Sequence, residues 1–338
     1  MGEVQELLRY VWQTDNRLTI PMSGTGSAAM EATIANVVEP GDKVLVAVMG
    51  YFGLRQADMA GRYGAEVITI ERPWGEAFTL EELEEALITH RPSLLTMVHA
   101  ETSTGVCQPM EGIGDLCRRY DCLLLLDTVT SLGGVPLFLD EWKVDLAYSC
   151  SQKGLSCPPG LGPFSMGPRA EAKLHQRKGK VPNWYLDVSL LNQYWGTDRV
   201  YHHTAPVNMN FGMREALRLL SEEGLEQAWA RHRDSAERFW RGLERLGLEL
   251  HVPEPLRLAT LTTVRIPEGV DGKAFCRHLL DTHGIEVGGG LGALAGKVWR
   301  VGLMGYNSTP ENVDLLLNLL ESELPRFRDT APAVAAVA

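Results

Sequence analysis

The sequence predicts an α/β fold: a large domain with a mostly parallel sheet flanked by helices, followed by a smaller C-terminal α+β domain. Short apolar segments alternate with amphipathic segments up to about residue 150, which is typical of parallel strands connected by helices. Beyond residue 204, long amphipathic segments dominate and strands become few. A chain of 338 residues is long enough for one large core and one smaller core.

In the first part of the chain, each predicted helix follows from apolar residues that recur every three or four positions. The first helix covers residues 3–13. The helix over residues 79–90 begins at Thr79, which is positioned to form a capping box with Glu82. The other helices of this part cover residues 28–38, 54–63 and 112–120.

The predicted strands of the large domain are short apolar runs. Each run is too short for a stable helix and is bounded by glycine, proline or charged residues. Strands of this kind, apolar on both faces, are typical of a sheet covered by helices on both sides. They cover residues 18–22, 43–48, 66–70, 94–98, 122–126 and 144–148.

The C-terminal part predicts a smaller domain with its own helices and two strands. The strands cover residues 261–266 and 297–303, and the helices cover residues 210–223, 225–246, 272–283 and 310–324. We therefore predict a large domain over residues 1–204 and a small domain over residues 205–327. Residues 328–338 are rich in alanine and proline and are expected to be frayed.

The composition excludes several classes of partner. The net charge is -11 and no concentrated basic segment occurs, so neither nucleic acid nor an anionic membrane is expected to bind. No apolar run could span a bilayer, and neither a signal peptide nor a C-terminal peroxisomal signal occurs, which predicts a cytoplasmic protein. The six cysteines form no CxxC pair, and the adjacent His202 and His203 cannot bind a metal from one helix face, so no metal site is expected.

A carboxylate and an amine follow two neighbouring predicted strands. Asp127 follows four leucines, and Lys153 lies between the strand over residues 144–148 and a Pro-Gly turn. Strand ends of this kind carry the chemistry of α/β sheets. A partly desolvated lysine condenses with a carbonyl to give a Schiff base, and a nearby aspartate keeps a pyridine nitrogen protonated. This pairing favours pyridoxal phosphate (PLP) chemistry over an ordinary solvated lysine.

The loop Ser23-Gly24-Thr25-Gly26-Ser27 lies between a predicted strand and a predicted helix. Its glycines allow the backbone to approach an anion, and the helix N-terminus offers free N–H groups. The loop matches neither a dinucleotide fingerprint, because residue 29 is alanine, nor a P-loop, because the lysine is missing. It is interpreted as a short phosphate-binding loop, with a simple tight turn as the alternative.

Three further side chains are candidates. Phe52 follows a strand and could stack on a planar cofactor, although aromatic residues there often belong to the core. Thr102 offers a hydroxyl at another strand end, unless the hydroxyl only satisfies a turn. Arg300 lies in an otherwise apolar strand and needs an anion, which is either an internal carboxylate or the carboxylate of a substrate.

Taken together, these motifs resemble those of the class-V, fold-type I PLP-dependent aminotransferases, in particular the alanine–glyoxylate and serine–pyruvate aminotransferases. The similarity extends from about residue 3 to residue 320. The motifs that carry it are Ser23-Gly24-Thr25-Gly26, Glu39-Pro40-Gly41-Asp42, Ser103-Thr104-Gly105-Val106, Leu126-Asp127, Ser131-Leu132-Gly133-Gly134, Ser151-Gln152-Lys153, Pro158-Pro159-Gly160, Tyr201-His202-His203-Thr204 and Gly289-Gly290-Leu291-Gly292.

The resemblance implies a role for each candidate. Lys153 is similar to the Schiff-base lysine, Asp127 to the partner of the pyridine nitrogen, and Arg300 to the residue that binds the substrate carboxylate. The residues that match cofactor-binding positions are Thr25, Gly26, Ser27 and Gln152 for the phosphate, Phe52 and Thr102 for the ring, and Tyr201 and Thr204 for the phosphate in the neighbouring subunit. A homodimer with shared sites is therefore expected, with amino acids and 2-oxo acids as substrates.

The implied reaction is ping-pong transamination from alanine or serine to glyoxylate or pyruvate. Members of the family usually have some dozens more residues before the segment that matches Glu3. A related lyase or cysteine desulfurase is one alternative, but these enzymes typically have histidines where this chain has Gln152 and Phe52. A non-catalytic PLP-binding protein is the other alternative.

Overall fold

The computed structural model describes residues 1–328. Nine strands lie in its first half, and seven of them form the main sheet. In chain order they are β1 Leu18–Ser23, β2 Lys43–Val48, β3 Glu66–Glu71, β4 Leu94–Val98, β5 Ala100–Glu101, β6 Val106–Cys107, β7 Leu123–Asp127, β8 Leu146–Tyr148 and β9 Leu161–Met166. The spatial order of the main sheet is β1-β9-β8-β7-β4-β2-β3, while β5 and β6 form a small hairpin.

The main sheet is mostly parallel, as predicted. Strand β9 is the exception, since it runs antiparallel to both of its neighbours, β1 and β8. Strand β9 had not been predicted, because its Gly162 and Pro163 are residues that normally mark turns. In the sheet Pro163 faces Pro21 of β1, and its carbonyl accepts a hydrogen bond from the backbone N–H of Ser149.

Helices cover both faces of this sheet. In chain order they are α1 Gly2–Trp12, α2 Gly26–Val37, α3 Tyr51–Arg62, α4 Leu80–His90, α5 Ile113–Arg119, α6 Pro168–His175, α7 Val188–Trp195 and α8 Val207–Glu223. Leu45 of β2 belongs to the apolar cluster under α1, α4, α5 and α8, and its neighbour Val46 belongs to the cluster under α2, α6 and α7. Both faces of the strand are therefore buried, which explains its continuous apolar sequence.

The helix predictions were correct in type and differ at some ends. The capping box at Thr79 is present, with Glu82 bonded in both directions. Helix α3 begins at Tyr51 rather than at residue 54, so Phe52 lies in a first helical turn and not in a loop. Helices α6 and α7 had not been predicted.

The C-terminal part contains a second sheet. Its strands are β10 Leu261–Arg265, β11 Gly288–Gly289 and β12 Val298–Gly302, all antiparallel in the order β10-β12-β11. The helices α9 Leu225–Arg245, α10 Gly272–His283 and α11 Pro310–Glu323 contribute to a separate apolar cluster around Phe239, Phe275 and Trp299. The domain limit at residue 204 stays a prediction.

The predicted frayed tail, residues 328–338, lies outside the described residues except for Arg328. The backbone of Arg328 forms an isolated bridge with that of Val270. Within residues 1–328, no helix combines the length and the apolar character that crossing a membrane requires.

Candidate active site

The parallel strands bring most of the candidate residues to one edge of the main sheet. Strands β1, β2, β4, β7 and β8 all run in the same direction, so their carboxyl ends meet at this edge. The loops and helix starts after these strands carry Thr25, Phe52, Thr102 and Lys153, and Asp127 is the last residue of β7. Ligands of open α/β sheets bind at this kind of edge.

Asp127 is a buried carboxyl group with fixed hydrogen-bond donors. The Tyr148 hydroxyl donates to its Oδ2 at 2.5 Å, and the backbone N–H of Val129 donates to its Oδ1 at 2.8 Å. Gln56 in turn donates to the Tyr148 hydroxyl at 3.1 Å. Burial raises the pKa of Asp127 to about 7, while both donors act in the opposite direction. A cation next to this group would favour its ionised form.

Lys153 lies in the loop after β8 and is partly buried. The pKa of the neighbouring Cys150 thiol indicates that Lys153 and Asp127 lie near each other, because both residues affect it. Burial raises the pKa of the Cys150 thiol to about 11, Lys153 acts to lower it, and Asp127 acts to raise it further. One buried thiol therefore lies within electrostatic reach of both candidate residues. A buried thiol with a raised pKa is a poor nucleophile, so Cys150 itself is not a candidate for the chemistry.

The glycine-rich loop packs directly against the lysine segment. Gly24 has a φ of 152°, a backbone conformation that favours glycine, and its N–H donates to the Gly160 carbonyl at 3.1 Å. A Cβ atom on Gly26 would lie 2.8 Å from the Cβ of Cys150. This close approach requires glycine.

The start of α2 is suited to an anion. Thr25 is the N-cap residue, and its side chain makes no capping hydrogen bond. The backbone N–H groups of the first turn and the exposed hydroxyls of Thr25 and Ser27 are therefore available to a phosphate. Gln152, next to Lys153, is also exposed. The residues at this edge thus fit both ends of PLP: a neutral hydrogen-bonding cradle for the phosphate, and a buried carboxyl for a ring cation.

Glu101 organises the start of α3 and was not assigned a role from the sequence. Its buried carboxylate accepts hydrogen bonds from the Ser103 hydroxyl at 2.6 Å and from the backbone N–H of Phe52 at 3.3 Å. The Ser103 Oγ accepts from the backbone N–H of Tyr51 at 2.9 Å. Burial raises the pKa of Glu101, and these hydrogen bonds act in the opposite direction. An acidic residue three positions after the predicted buried strand over residues 94–98 was the available signal.

Arg300 connects the small sheet to the edge of the main sheet. Its Nη1 donates to the Thr102 carbonyl at 3.3 Å, and its Nε donates to the Gly289 carbonyl at 2.7 Å. Within residues 1–328 no carboxylate lies within 4.0 Å of it, so the alternative of an internal ion pair is wrong. Burial lowers the pKa of Arg300, and Glu101 acts in the opposite direction. The Thr102 hydroxyl is bonded to the Thr130 hydroxyl.

The segment over residues 201–204 has two anchored histidines between two exposed residues. His203 Nε2 forms a hydrogen bond of 2.7 Å with Ser23 Oγ, and His202 stacks on Trp184 with ring centroids 4.2 Å apart. Tyr201 and Thr204 are exposed, and their hydroxyls lie 3.3 Å apart. The segment is thus fixed on the chain's own glycine-rich loop while its hydroxyls face away from the protein.

Two other features lie away from these residues. A groove of about 1280 Å³ is lined by side chains that include Arg17, Asp145 and Arg169, and by none of the candidate residues. His278, His283 and Glu323 bring possible metal-ligand atoms within 4.8 Å of one another, but Glu323 is already bonded to His278 and to Arg326. Neither feature contains the candidate residues, so the candidate active site is at the sheet edge.

Comparisons with known proteins agree with the motifs. The model of the class-V aminotransferase family matches residues 1–316. The alanine–glyoxylate aminotransferase of Callithrix jacchus is 48% identical over 328 residues, which are 96% of this chain and 79% of that protein. The structure of an alanine–glyoxylate aminotransferase from Nostoc sp. has a TM-score of 0.94 and 66% identity, and covers 95% of this chain and 85% of its own.

A second solved structure differs in its amino donor. The ureidoglycine–glyoxylate aminotransferase of Bacillus subtilis has a TM-score of 0.95 and 39% identity, and the match covers 98% of this chain and 86% of that one. These similarities extend over nearly the whole chain, so they concern the complete fold as well as the individual motifs. The chain therefore belongs to the class-V aminotransferase family, as its motifs predicted.

Proposed function

We propose that this protein is a PLP-dependent transaminase that moves an amino group from alanine or serine to glyoxylate or pyruvate. The observation that carries the proposal is the convergence of Asp127, Lys153 and an open helix N-terminus at one sheet edge, where Arg300 donates to the Thr102 carbonyl. The names of the relatives support glyoxylate as the acceptor, because the donors in those names differ and glyoxylate is common to them.

When bound, PLP supplies an aldehyde that takes the amino group and a ring that accepts the electrons released at the substrate Cα. Lys153 would hold the aldehyde carbon through its Nζ, and once freed the same amine would move the Cα proton as base and then as acid. Asp127, fixed by Tyr148, would keep the proton on the ring nitrogen in its ionised form. Phe52 and Thr102 would contribute to binding the ring.

The phosphate would be held by the first turn of α2, with Thr25, Gly26 and Ser27, and by Gln152. Arg300 would bind the substrate carboxylate with two N–H groups. Its guanidinium is partly buried, and among residues 1–328 its hydrogen-bond acceptors are backbone carbonyls, so it has unused capacity for an anion. A small oxo acid such as glyoxylate has few groups besides its carboxylate that a protein can recognise, so the contact with Arg300 would dominate its binding.

The experiment that tests the function is a panel of amino donors with glyoxylate or pyruvate as acceptor. We expect alanine or serine to yield its oxo acid with formation of glycine from glyoxylate, and to change the visible absorption of the bound cofactor. Sulfide release from cysteine would identify a desulfurase instead. A protein that binds PLP but converts no amino donor would be a non-catalytic member of the family.

Replacing Arg300 with alanine should lower kcat/KM for transamination by about 10²- to 10³-fold, as for the loss of one partner of a buried charged pair. The affinity for PLP should stay unchanged, since Arg300 does not contact the proposed phosphate cradle and its bond to Thr102 is to the backbone carbonyl, not to the hydroxyl. Arg265→Ala in the neighbouring strand β10 is the matched control, because Arg265 only pairs with Glu249 at the surface. An unchanged kcat/KM in Arg300→Ala, or an equal loss in the control, would contradict the clamp.

We also propose a homodimer with shared sites. Large apolar side chains are exposed around residues 184–211: Trp184 is 61% exposed, Tyr201 74% and Phe211 66%. Exposed aromatic residues of this kind are enriched at protein interfaces. Trp195 of the same stretch is buried in the core and does not contribute. The exposed hydroxyls of Tyr201 and Thr204 would then reach the phosphate in the partner subunit.

The shared site can be tested by mixing two inactive variants, Lys153→Ala and the double variant Tyr201→Ala/Thr204→Ala. Each heterodimer would contain one intact site, formed by Lys153 of one chain and the hydroxyls of the other. We expect transaminase activity to return on mixing, and PLP affinity to depend on dimerisation. Mixtures that contain confirmed heterodimers but stay inactive would contradict the arrangement, as would a monomer that binds PLP as tightly as the dimer.

A further inference from the structure

Arg55 is a cation at the candidate site that no motif had indicated. It lies one turn after Phe52 in α3, and its Nη1 donates to Ser27 Oγ at 3.4 Å. Its guanidinium carbon lies 4.9 Å from the centre of the Phe52 ring and 5.5 Å from that of Tyr51. Arg55 thus contacts both the glycine-rich loop and the aromatic side chain proposed to cover the cofactor ring.

The guanidinium of Arg55 has no anionic partner of its own. Within residues 1–328 no carboxylate lies within 4.0 Å of it, although it is partly buried. One long hydrogen bond and two aromatic contacts leave most of its five N–H donors free. The other arginine of this helix, Arg62, differs: it pairs with Asp58 at 2.9 Å on the surface.

The proposed phosphate cradle lacks a positive charge. Its side chains come from Thr25, Ser27 and Gln152, and in the dimer from Tyr201 and Thr204, all of which are neutral. A phosphate monoester carries a charge of about -1.5 to -2 near neutral pH. A helix N-terminus offsets only about half of one charge. A dianion in this cradle therefore needs a further cation.

We propose that Arg55 is the cationic partner of the cofactor phosphate, and that it completes the cradle formed by the start of α2. This inference rests on the proposed function and extends it by one residue. The geometry of α3 supports it, since Phe52, Arg55 and Gln56 are three and four positions apart and lie on one helical face. Gln56 of the same face contacts the Tyr148 hydroxyl, which is bonded to Asp127.

The positive charge of Arg55 also acts electrostatically on Asp127, at the proposed ring end of the site. Arg55 acts to lower the pKa of Asp127, against the larger effect of burial. A charge that acts on Asp127 and a guanidinium that touches Ser27 place Arg55 between the proposed ring end and the proposed phosphate end of the cofactor. The alternative role for Arg55 is to support Phe52 by stacking alone, which would not depend on the phosphate.

The test compares PLP with pyridoxal, which has the same ring and aldehyde but no phosphate. Dissociation constants are measured on cofactor-free protein, by absorbance, for the wild type, Arg55→Gln, Arg55→Lys and the control Arg62→Gln. We expect Arg55→Gln to weaken PLP binding by about 10- to 100-fold, the range for a charged hydrogen bond, and to leave pyridoxal binding unchanged. Arg55→Lys should restore part of the PLP affinity, because the charge is kept.

Two outcomes would overturn the inference while the proposed function stands. Arg55→Gln could bind PLP as tightly as the wild type, or it could lose affinity for PLP and pyridoxal equally, which would indicate a role through Phe52. Circular dichroism of each variant checks that the fold is kept. A wild-type protein that binds neither compound would instead contradict the proposed function, and with it the role of Arg55.

Discussion

Replacing Lys153 with alanine is expected to lower transaminase kcat by at least about 10⁴-fold, because one substitution removes both the attachment point of the cofactor and the group that moves the Cα proton. The cofactor should still bind noncovalently through its phosphate and ring. After borohydride treatment of the wild type, peptide mapping should find the pyridoxyl group on Lys153, and the variant should carry none.

Lys143→Ala is the matched control for this substitution. Lys143 lies just before β8, whereas Lys153 follows it, and the Lys143 ammonium pairs with Asp115 at the surface. We expect the control to keep both activity and the borohydride label. Finding the label on another lysine, or full activity in Lys153→Ala, would show that the assignment of Lys153 is wrong.

Asp127→Asn should have the second largest effect. The substitution keeps the shape of the side chain but removes the negative charge that would hold the proton on the ring nitrogen. We expect kcat to fall by about 10²- to 10⁴-fold, the cost of leaving a buried charge without its partner. Tyr148→Phe is a graded companion variant, since it leaves the Asp127 carboxylate in place and removes the Tyr148 hydroxyl, with its 2.5 Å hydrogen bond to Asp127 and the one it accepts from Gln56. It should lower kcat less than Asp127→Asn, and the reverse order would contradict the role of Asp127.

Asp127 should also affect the stability of the cofactor-free protein in a pH-dependent way. Burial raises its pKa in the folded state to about 7, from an ordinary value of 3.8. Below pH 3.8 the Asp127 carboxyl is protonated in both the folded and the unfolded state, so it does not make the free energy of unfolding depend on pH. Between these two values the unfolded chain releases the proton while the folded protein retains it, so the free energy of unfolding falls by a few kcal/mol as the pH rises, and then stays constant above pH 7.

Thermal unfolding of cofactor-free protein between pH 4 and pH 8 measures this effect. The wild type should lose more stability over this range than Asp127→Asn, which lacks the titrating group. The difference in stability loss between the wild type and Asp127→Asn should become smaller when PLP is bound, because the positive charge on the ring then stabilises the ionised carboxylate. Parallel pH profiles for the two proteins would show that Asp127 does not titrate as described.

Much of the fold and two of the candidate residues could be predicted from local features of the sequence. The alternation of apolar and amphipathic segments is enough to predict an α/β fold, because buried parallel strands require apolar residues on both faces. Asp127 and Lys153 could be selected as candidates because Asp127 lies at the end of one recognisable strand and Lys153 lies in the loop after the next, and parallel strands bring such residues to one edge. In the main sheet, β9, with Gly162 and Pro163, lacked the local signal of a strand, and the two-residue strands β5, β6 and β11 were not predicted either.

The tertiary structure alone decided which residues meet across the chain. Arg300 reaches the Thr102 carbonyl over a separation of 198 residues, and only this packing shows that no carboxylate of residues 1–328 forms an ion pair with it. The buried position of Glu101 at the start of α3, and the contact between Arg55 and Ser27, likewise depend on how helices pack on the sheet. Periodicity determines which face of an element is apolar, whereas a polar contact between two elements depends on their relative positions, which no local pattern specifies.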